Sequence, residues 1–281
     1  MEHWKCDGGA VLGQPSNRRL SPVRTTVATE AAQPGWQATP MPATNALNRF
    51  VRVGHKGAAA LAPENTIASL AAALAAGVDM VEFDVVDAAD GTLVLAHSHE
   101  EVEPGSVALD EALAFLARES PGHLDLDLDL KWHGFEEEVI AALGRHGLLA
   151  RAIATSFFPG SLRRLRNLEP MLRTGISYPW DRRGLTKRRT MKPFIGTGVA
   201  ALRGALPYRI AGMVRAADAS SAMLHYSVLS RRVVERSHEL GIRVFAWTVD
   251  EPELLGRVLE AGVDGVISND PRIFSADGER R

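Results

Sequence analysis

From Phe50 onward two hydrophobic periods take turns along the chain. Short runs such as "FVRVGH", "VDMVEFDVV", "RAIATSF" and "IRVFAWTV" are continuously apolar or apolar at every second position, as buried strands are. Between them lie longer stretches with the helical period. "PENTIASLAAALAAG" carries Asn65 or Thr66 near its cap and Gly77 after its end, and "GFEEEVIAALGRHG" stops at Gly147. "SVALDEALAFLAR", "PGSLRRLRNL", "SVLSRRVVERSHELG" and "EPELLGRVLEAG" read the same way. Asp90-Gly91 between two extended runs predicts a hairpin. Leaving out the hairpin arm, strands are expected over 50–55, 78–86, 123–131, 151–157, 171–178, 221–225, 242–249 and 264–268. Strand–helix alternation of this kind predicts an α/β protein, a (β/α)8 TIM barrel with its active site at the C-terminal strand ends. An open doubly wound sheet is the rival, but no G-x-G-x-x-G follows the first strand.

One strand has an unusual pattern. In "LDLDLDLKW", Leu124 to Leu130 alternate with Asp125, Asp127, Asp129 and Lys131. In a barrel the leucines would face the helices, and the acids and Lys131 would face the lumen. Asp129 and Lys131 come last and so lie nearest the mouth. Asp125 and Asp127 lie deeper, where a structural role with polar partners is expected.

The same end of other strands carries further chemistry. Gly54-His55-Lys56-Gly57 closes the first strand, Glu82 and Asp84 share a face of the second, and the hairpin arm ends at His97. Trp247 ends the seventh, and His225 and Tyr226 end the sixth, where packing competes with a place at the mouth. His99 is the substitute for His97 if the register slips by two. Three converging carboxylates, Glu82, Asp84 and Asp129, would repel one another unless a cation joins them. Oxygen-only ligands suit a divalent cation, Mg²⁺ or Ca²⁺, rather than zinc. His55 and His97 can serve as acid and base near neutral pH, and Lys56 and Lys131 suit an anionic substrate. This set describes metal-assisted phosphoryl transfer.

Bulk properties narrow the picture a little. The chain has 281 residues, 46% hydrophobic and 23% charged, as ordinary globular proteins have. A net charge of −2 gives no nucleic-acid footprint, and the single cysteine, Cys6, has no partner for a disulfide. No apolar run is long enough for a membrane span or a secretory signal, so the default placement is cytoplasmic. Residues 1–48 are polar and without period, and are expected to be a disordered tail, with Met41 an alternative start. The expected barrel spans 49–275, with a C-terminal tail at 276–281. Residues 182–215 hold nine Lys or Arg, no Asp or Glu, and interleaved apolar residues. Such a segment can lie peripherally on an anionic membrane, or it can be a solvated, partly helical connection. Pro193 and Pro207 are expected to break any single long helix there.

The segment "GHKGAAALAPENTIASLAAALAAGVDMVEFDVVDAADGTLVLAH" resembles the signature region of the glycerophosphodiester phosphodiesterase (GDPD) family. That family's usual pattern is H-R-G, P-E-N-T, E-x-D, a hairpin ending in histidine, then E-x-K. "GIRVFAWTVD" and "AGVDGVISNDP" resemble its C-terminal stretch, so the likeness runs over roughly residues 50–275. It implies a (β/α)8 barrel of the PLC-like phosphodiesterase type. It implies a metal-dependent hydrolase of glycerophosphodiesters with His55, His97 and Lys131 catalytic. It further implies that Glu82, Asp84 and Asp129 hold the metal and that Lys56, Glu64 and Asn65 meet the substrate; Trp247, by its place at a strand end, either lines the substrate pocket or packs in the core.

There are departures. Lys56 stands for arginine and lacks its bidentate fork, and Asp129 is one methylene shorter than the usual glutamate. Ser98 follows His97 where an acid is common, and the family's inserted lobe looks trimmed. Asp-x-Lys is similar to the spider-venom-type phospholipases D. Two alternatives therefore stand beside the small-molecule phosphodiesterase: a phospholipase D acting on lysophospholipids at a membrane, and a non-catalytic lipid- or phosphate-binding barrel.

Overall fold

A computed structural model describes residues 50–180 and 192–275. Eight parallel strands close into a barrel with helices between them. In chain order they are β1 (Val51–Gly54), β2 (Met80–Asp87), β4 (Asp125–Leu130), β5 (Ala152–Ser156), β6 (Arg173–Tyr178), β7 (Ser221–His225), β8 (Arg243–Trp247) and β9 (Gly265–Ser268). β1 pairs with both β9 and β2, which closes the ring. The predicted hairpin is present, with β3 (Leu93–Leu95) antiparallel to β2. The helices are α1 (Ile67–Ala75), α2 (Leu109–Glu119), α3 (Glu136–Arg145), α4 (Pro159–Leu168), α5 (Lys192–Ala217), α6 (Arg231–Glu239) and α7 (Pro252–Glu260). The expected tails at 1–48 and 276–281 lie outside the described residues, as does 182–191 of the basic segment. No described helix is long and apolar enough to cross a membrane.

Local chemistry sets where the helices begin. Thr66 caps α1 by accepting from the Ser69 amide at 3.2 Å, and the Ser69 hydroxyl accepts from the Thr66 amide at 3.1 Å. Pro159 and Pro252 open α4 and α7, where their missing N–H costs nothing.

Two apolar layers hold the barrel. Leu124, Leu126, Leu128 and Leu130 are fully buried in the layer between strands and helices, together with Leu113, Leu116, Val139 and Leu143. Inside the lumen Val53, Met80, Ile153, Met223, Phe245 and Ile267 form a smaller plug. Gly265 makes room for it, because a Cβ there would lie 2.3 Å from the Phe245 ring. At the start of β4, level with Met80, Asp125 accepts two bonds from the Arg173 guanidinium, at 3.0 and 2.9 Å. The deepest acid of the alternating strand therefore has a bidentate partner, a strong geometry for an ion pair.

Helix α5 departs from expectation, since it runs unbroken through Pro207. Pro193 sits at its first turn, where proline is tolerated. At Pro207 the helix loses a hydrogen bond and meets a ring clash, a cost of about 3 kcal/mol. Leu206, Ile210, Val214 and Ala217, spaced along one face, are buried on the barrel. Burying the three larger of these contributes about 1.5–3 kcal/mol each, which exceeds the proline cost. Ile210→Ala should therefore lower unfolding stability by about 2–5 kcal/mol in denaturant titration. A loss well under 1 kcal/mol would show that this stripe does not hold the helix.

Candidate active site

The turn after β1 needs its glycines. Lys56 and Gly57 both take left-handed backbone, φ 51° and 80°. A Cβ on Gly57 would lie 2.5 Å from the backbone of Ser69, and one on Gly54 would lie 2.2 Å from the Gly57 carbonyl oxygen. This tight path lets the Lys56 amide donate to Glu82 Oε2 at 2.7 Å and the Gly57 amide to the Glu82 carbonyl at 2.8 Å. The turn is thus tied to the acid it stands beside.

Strand register brings the acids together. Glu82 pairs with Asp127 and Asp84 with Asp129 across the β2–β4 ladder. One carboxylate oxygen from each of Glu82, Asp84 and Asp129 lies within 4.8 Å of the others, and all three residues are buried. Lys131 Nζ lies 2.6 Å from Asp84 Oδ1 and also bonds Asp129. Asn65, buried and left-handed at φ 58°, donates to Asp84 Oδ2 at 2.9 Å and accepts from the Asp84 amide at 3.0 Å. Lys56 Nζ stands 3.8 Å from Asp84 Oδ2 and 3.0 Å from Glu64 Oε1.

Burial and mutual repulsion drive the protonation states. Burial first, then the charges of Asp84, Asp129 and Asp127, push Glu82 well above the usual carboxylate range. Burial would also raise Asp84, but Lys131, His97 and Lys56 outweigh it and hold Asp84 well below that range. Burial would lower Lys131, but Asp129, Asp84 and Glu82 outweigh it and keep the ammonium charged. Burial and the Asp129 charge push Asp127 up to about 8, with the Thr155 hydroxyl donating to it at 2.7 Å.

The cluster thus crowds three carboxyl groups around the one buried ammonium of Lys131. Asp129 Oδ1 is buried with no hydrogen-bond partner. A buried acceptor without a donor, among oxygen ligands only, fits a hard divalent cation. Glu82, Asp84 and Asp129 are the residues that would hold it.

His55 is fixed by a chain of contacts that runs through the far end of the sequence. Asn269 donates from Nδ2 to Asp250 Oδ2 at 2.7 Å and from its backbone to Asp250 Oδ1 at 2.8 Å. The amide oxygen must then face His55, whose Nδ1 lies 2.7 Å away. Nδ1 therefore carries the proton and donates, which leaves the Nε2 lone pair free, 3.8 Å from Glu82 Oε2. Burial lowers the affinity of this ring for a second proton, and Lys131 and Lys56 add to that effect, against Asp84 and Asn269. His97 is half exposed and places Nδ1 3.2 Å from Asp84 Oδ2.

His55, Lys56, Glu82, His97, Asp129 and Lys131 line one cavity of about 400 Å³, faced by Phe157, Trp180, Met223, Trp247 and Ile267. Asp84 sits beneath it, fully buried. Glu64 and Asn65 line a separate depression with Glu101, Glu103 and Ser106. His99 pairs with Asp87 at 2.9 Å on the exposed surface. His225 packs edge-on against Trp247 with centroids 5.0 Å apart. Asn269, Asp250, Phe157 and Trp180 were not singled out from the sequence. The available signal was position, since each follows a barrel strand and so stands at the mouth.

The His55 tautomer gives a direct check. In metal-free protein the side-chain ¹⁵N shifts of His55 should report a proton on Nδ1. Asn269→Ala and Asp250→Ala should each mix the two tautomers, and unchanged shifts in both variants would contradict the contact chain.

Residues 55–108 and 116–273 match the sequence model of the Glycerophosphoryl diester phosphodiesterase family. A glycerophosphodiester phosphodiesterase from Caldanaerobacter subterraneus subsp. tengcongensis is 26% identical over 258 residues, covering 78% of this chain and 93% of that protein. Among solved structures, a phosphodiesterase from Oleispira antarctica in complex with the product sn-glycerol-3-phosphate aligns with a TM-score of 0.61 at 22% identity. It covers 81% of this chain and 96% of that one. A glycerophosphodiester phosphodiesterase from Parabacteroides distasonis aligns at 0.63 and 19% identity, covering 82% and 97%. These two likenesses bear on the fold.

Proposed function

The chain belongs to the glycerophosphoryl diester phosphodiesterase family, and from that premise we propose that it is a metal-dependent hydrolase of glycerophosphodiesters, releasing an alcohol and sn-glycerol 3-phosphate. The observation that carries this reading is one cavity holding a histidine with a free Nε2, a second histidine, and three buried carboxylates beside a charged lysine. A barrel that only bound lipid or phosphate would have no use for both histidines.

A divalent cation held by Glu82, Asp84 and Asp129 would neutralise charge on the substrate phosphate. Lys131, kept cationic by the carboxylates around it, and Lys56 at the rim offset charge building on the equatorial oxygens. His55 takes the proton of the attacking oxygen on Nε2, since its Nδ1 proton is committed to Asn269. His97, open to the cavity and oriented by Asp84, returns a proton to the leaving alkoxide. The overall balance is the same whether water attacks directly or a glycerol hydroxyl first closes a cyclic phosphate that water then opens. Asn65 takes part through Asp84, whose carboxylate it orients. Glu64 acts through Lys56, whose ammonium it holds.

The test is release of free alcohol from soluble glycerophosphodiesters with Mg²⁺, with Ca²⁺ and with chelator. Turnover should vanish with chelator and return with the ion. His55→Gln and His97→Gln should each lose at least about 10²-fold in kcat. Full activity in both variants, or activity indifferent to chelator, would overturn the reading.

A further inference from the structure

Charge is divided unevenly around the barrel. Residues 50–150, from β1 through α3, hold five Lys or Arg against eighteen Asp or Glu. Residues 151–236, from β5 into α6, hold seventeen against four. Between Asp181 and Asp218 there is no acid at all. Consecutive units of a barrel stand side by side, so the flank from α4 to α6 is basic and the flank before it acidic. The basic flank is not offset by ion pairs throughout. Arg203, Arg209 and Arg215 on α5 and Arg232 on α6 are exposed, and among the described residues none of the four meets a carboxylate. Arg232 instead lies over the Tyr208 ring, 4.7 Å from its centroid, which joins α6 to α5.

Helix α5 is also far longer than its neighbours, with 26 residues where the other helices have nine to eleven. Its buried stripe begins at Leu206, so residues 192–205, about 20 Å of helix, run on past it. From Ile195 to Gly204 no residue is fully buried, and Val199 and Leu202 reach the core with only part of their surface. A helix face turned to water normally carries charged or polar side chains. This one exposes Gly196, Gly198, Ala200, Ala201 and Gly204. A Cβ on any of these three glycines would meet nothing within 4 Å. Exposed glycines weaken a helix, so this stretch gains from a partner that covers it.

We propose that the first half of α5, with the arginines beside it, is a docking surface for an anionic phospholipid bilayer. Charge complementarity gives the sign of the partner, and the uncharged helix gives its kind. A nucleic acid asks for cations along the whole contact, but residues 192–205 carry only Lys192 and Arg203. An interfacial helix sinks uncharged residues among the headgroups while flanking arginines meet the lipid phosphates. Tyr208, 70% exposed, has the kind of side chain that the headgroup layer favours. No described helix can span a bilayer, so the contact is peripheral. None of these residues lines the catalytic cavity, and the inference stands apart from the reaction assigned there.

The test is flotation of the full chain with vesicles of phosphatidylcholine alone, or of phosphatidylcholine with about one third phosphatidylglycerol. The account predicts binding to the anionic vesicles only, lost in high salt as the charges are screened. Arg209→Gln with Arg215→Gln should weaken partitioning about 25-fold, since each cation near the surface is worth about fivefold. Arg118→Gln with Arg257→Gln, the same charge change on exposed positions of α2 and α7, should leave it unaltered. Gly198 stands in open space and accepts a side chain. Gly198→Asp should therefore weaken partitioning and Gly198→Lys strengthen it, both at an unchanged melting temperature. The surface is overturned if the unaltered chain floats with neither vesicle or equally with both. It is also overturned if the two arginine pairs weaken binding equally, or if both Gly198 variants bind like the unaltered chain. Tighter capture by a single-stranded RNA oligomer than by the anionic vesicles would overturn it in favour of a nucleic-acid partner.

Discussion

Lys131 between Asp84 and Asp129 is the contact on which the rest of the site depends. Strand pairing alone sets Glu82 level with Asp127 and Asp84 level with Asp129, two adjacent layers of acids in the lumen. Four buried acids at that spacing would unfold the mouth if all were charged and alone. The molecule answers in three ways. Lys131 stays charged among them, Asp127 is pushed up to about 8, and Glu82 is pushed well above the usual range. What remains is an all-oxygen cluster with an oxygen, Asp129 Oδ1, that no donor reaches. Such a cluster fits a divalent cation.

The other parts of the mouth are arranged around this cluster. The β1 turn, held in left-handed backbone at Lys56 and Gly57, delivers His55 above Glu82 because the Lys56 amide is itself bonded to the Glu82 carboxylate. Asn65 ties the start of α1 to Asp84 by two bonds. Asp250 and Asn269, from beyond β8 and β9, hold the outer nitrogen of His55. Each of these contacts spans two barrel strands, so the precision of the site comes from the closed sheet more than from any one loop.

Much of this was legible in the sequence, for identifiable reasons. Strand period, glycine-ended helices and the Asp90-Gly91 hairpin are local signals, and the barrel follows from their order. The alternation in "LDLDLDLKW" already separates the helix-facing leucines from the lumen-facing acids. The partners of Asp125 and Asp127 were not readable, because Arg173 and Thr155 come from other strands. The bond between His55 and Asn269 joins residues 214 apart in sequence, and no local pattern encodes it. Phe157 and Trp180, which line the cavity, escaped notice for the same reason, since each looks like an ordinary loop residue until the barrel closes. Helix α5 was misjudged because the proline rule is local and the buried stripe that overrides it is tertiary.

Calorimetric titration of Mg²⁺ and of Ca²⁺ into the metal-free protein tests the carboxylate cluster most directly, without reference to any substrate. The account predicts one ion bound per chain. Glu82→Gln and Asp129→Asn should each weaken it at least about tenfold, while Asp87→Asn, outside the cluster, should not change it. An unaltered chain that binds neither ion, or cluster variants that bind as well as the unaltered chain, would contradict it.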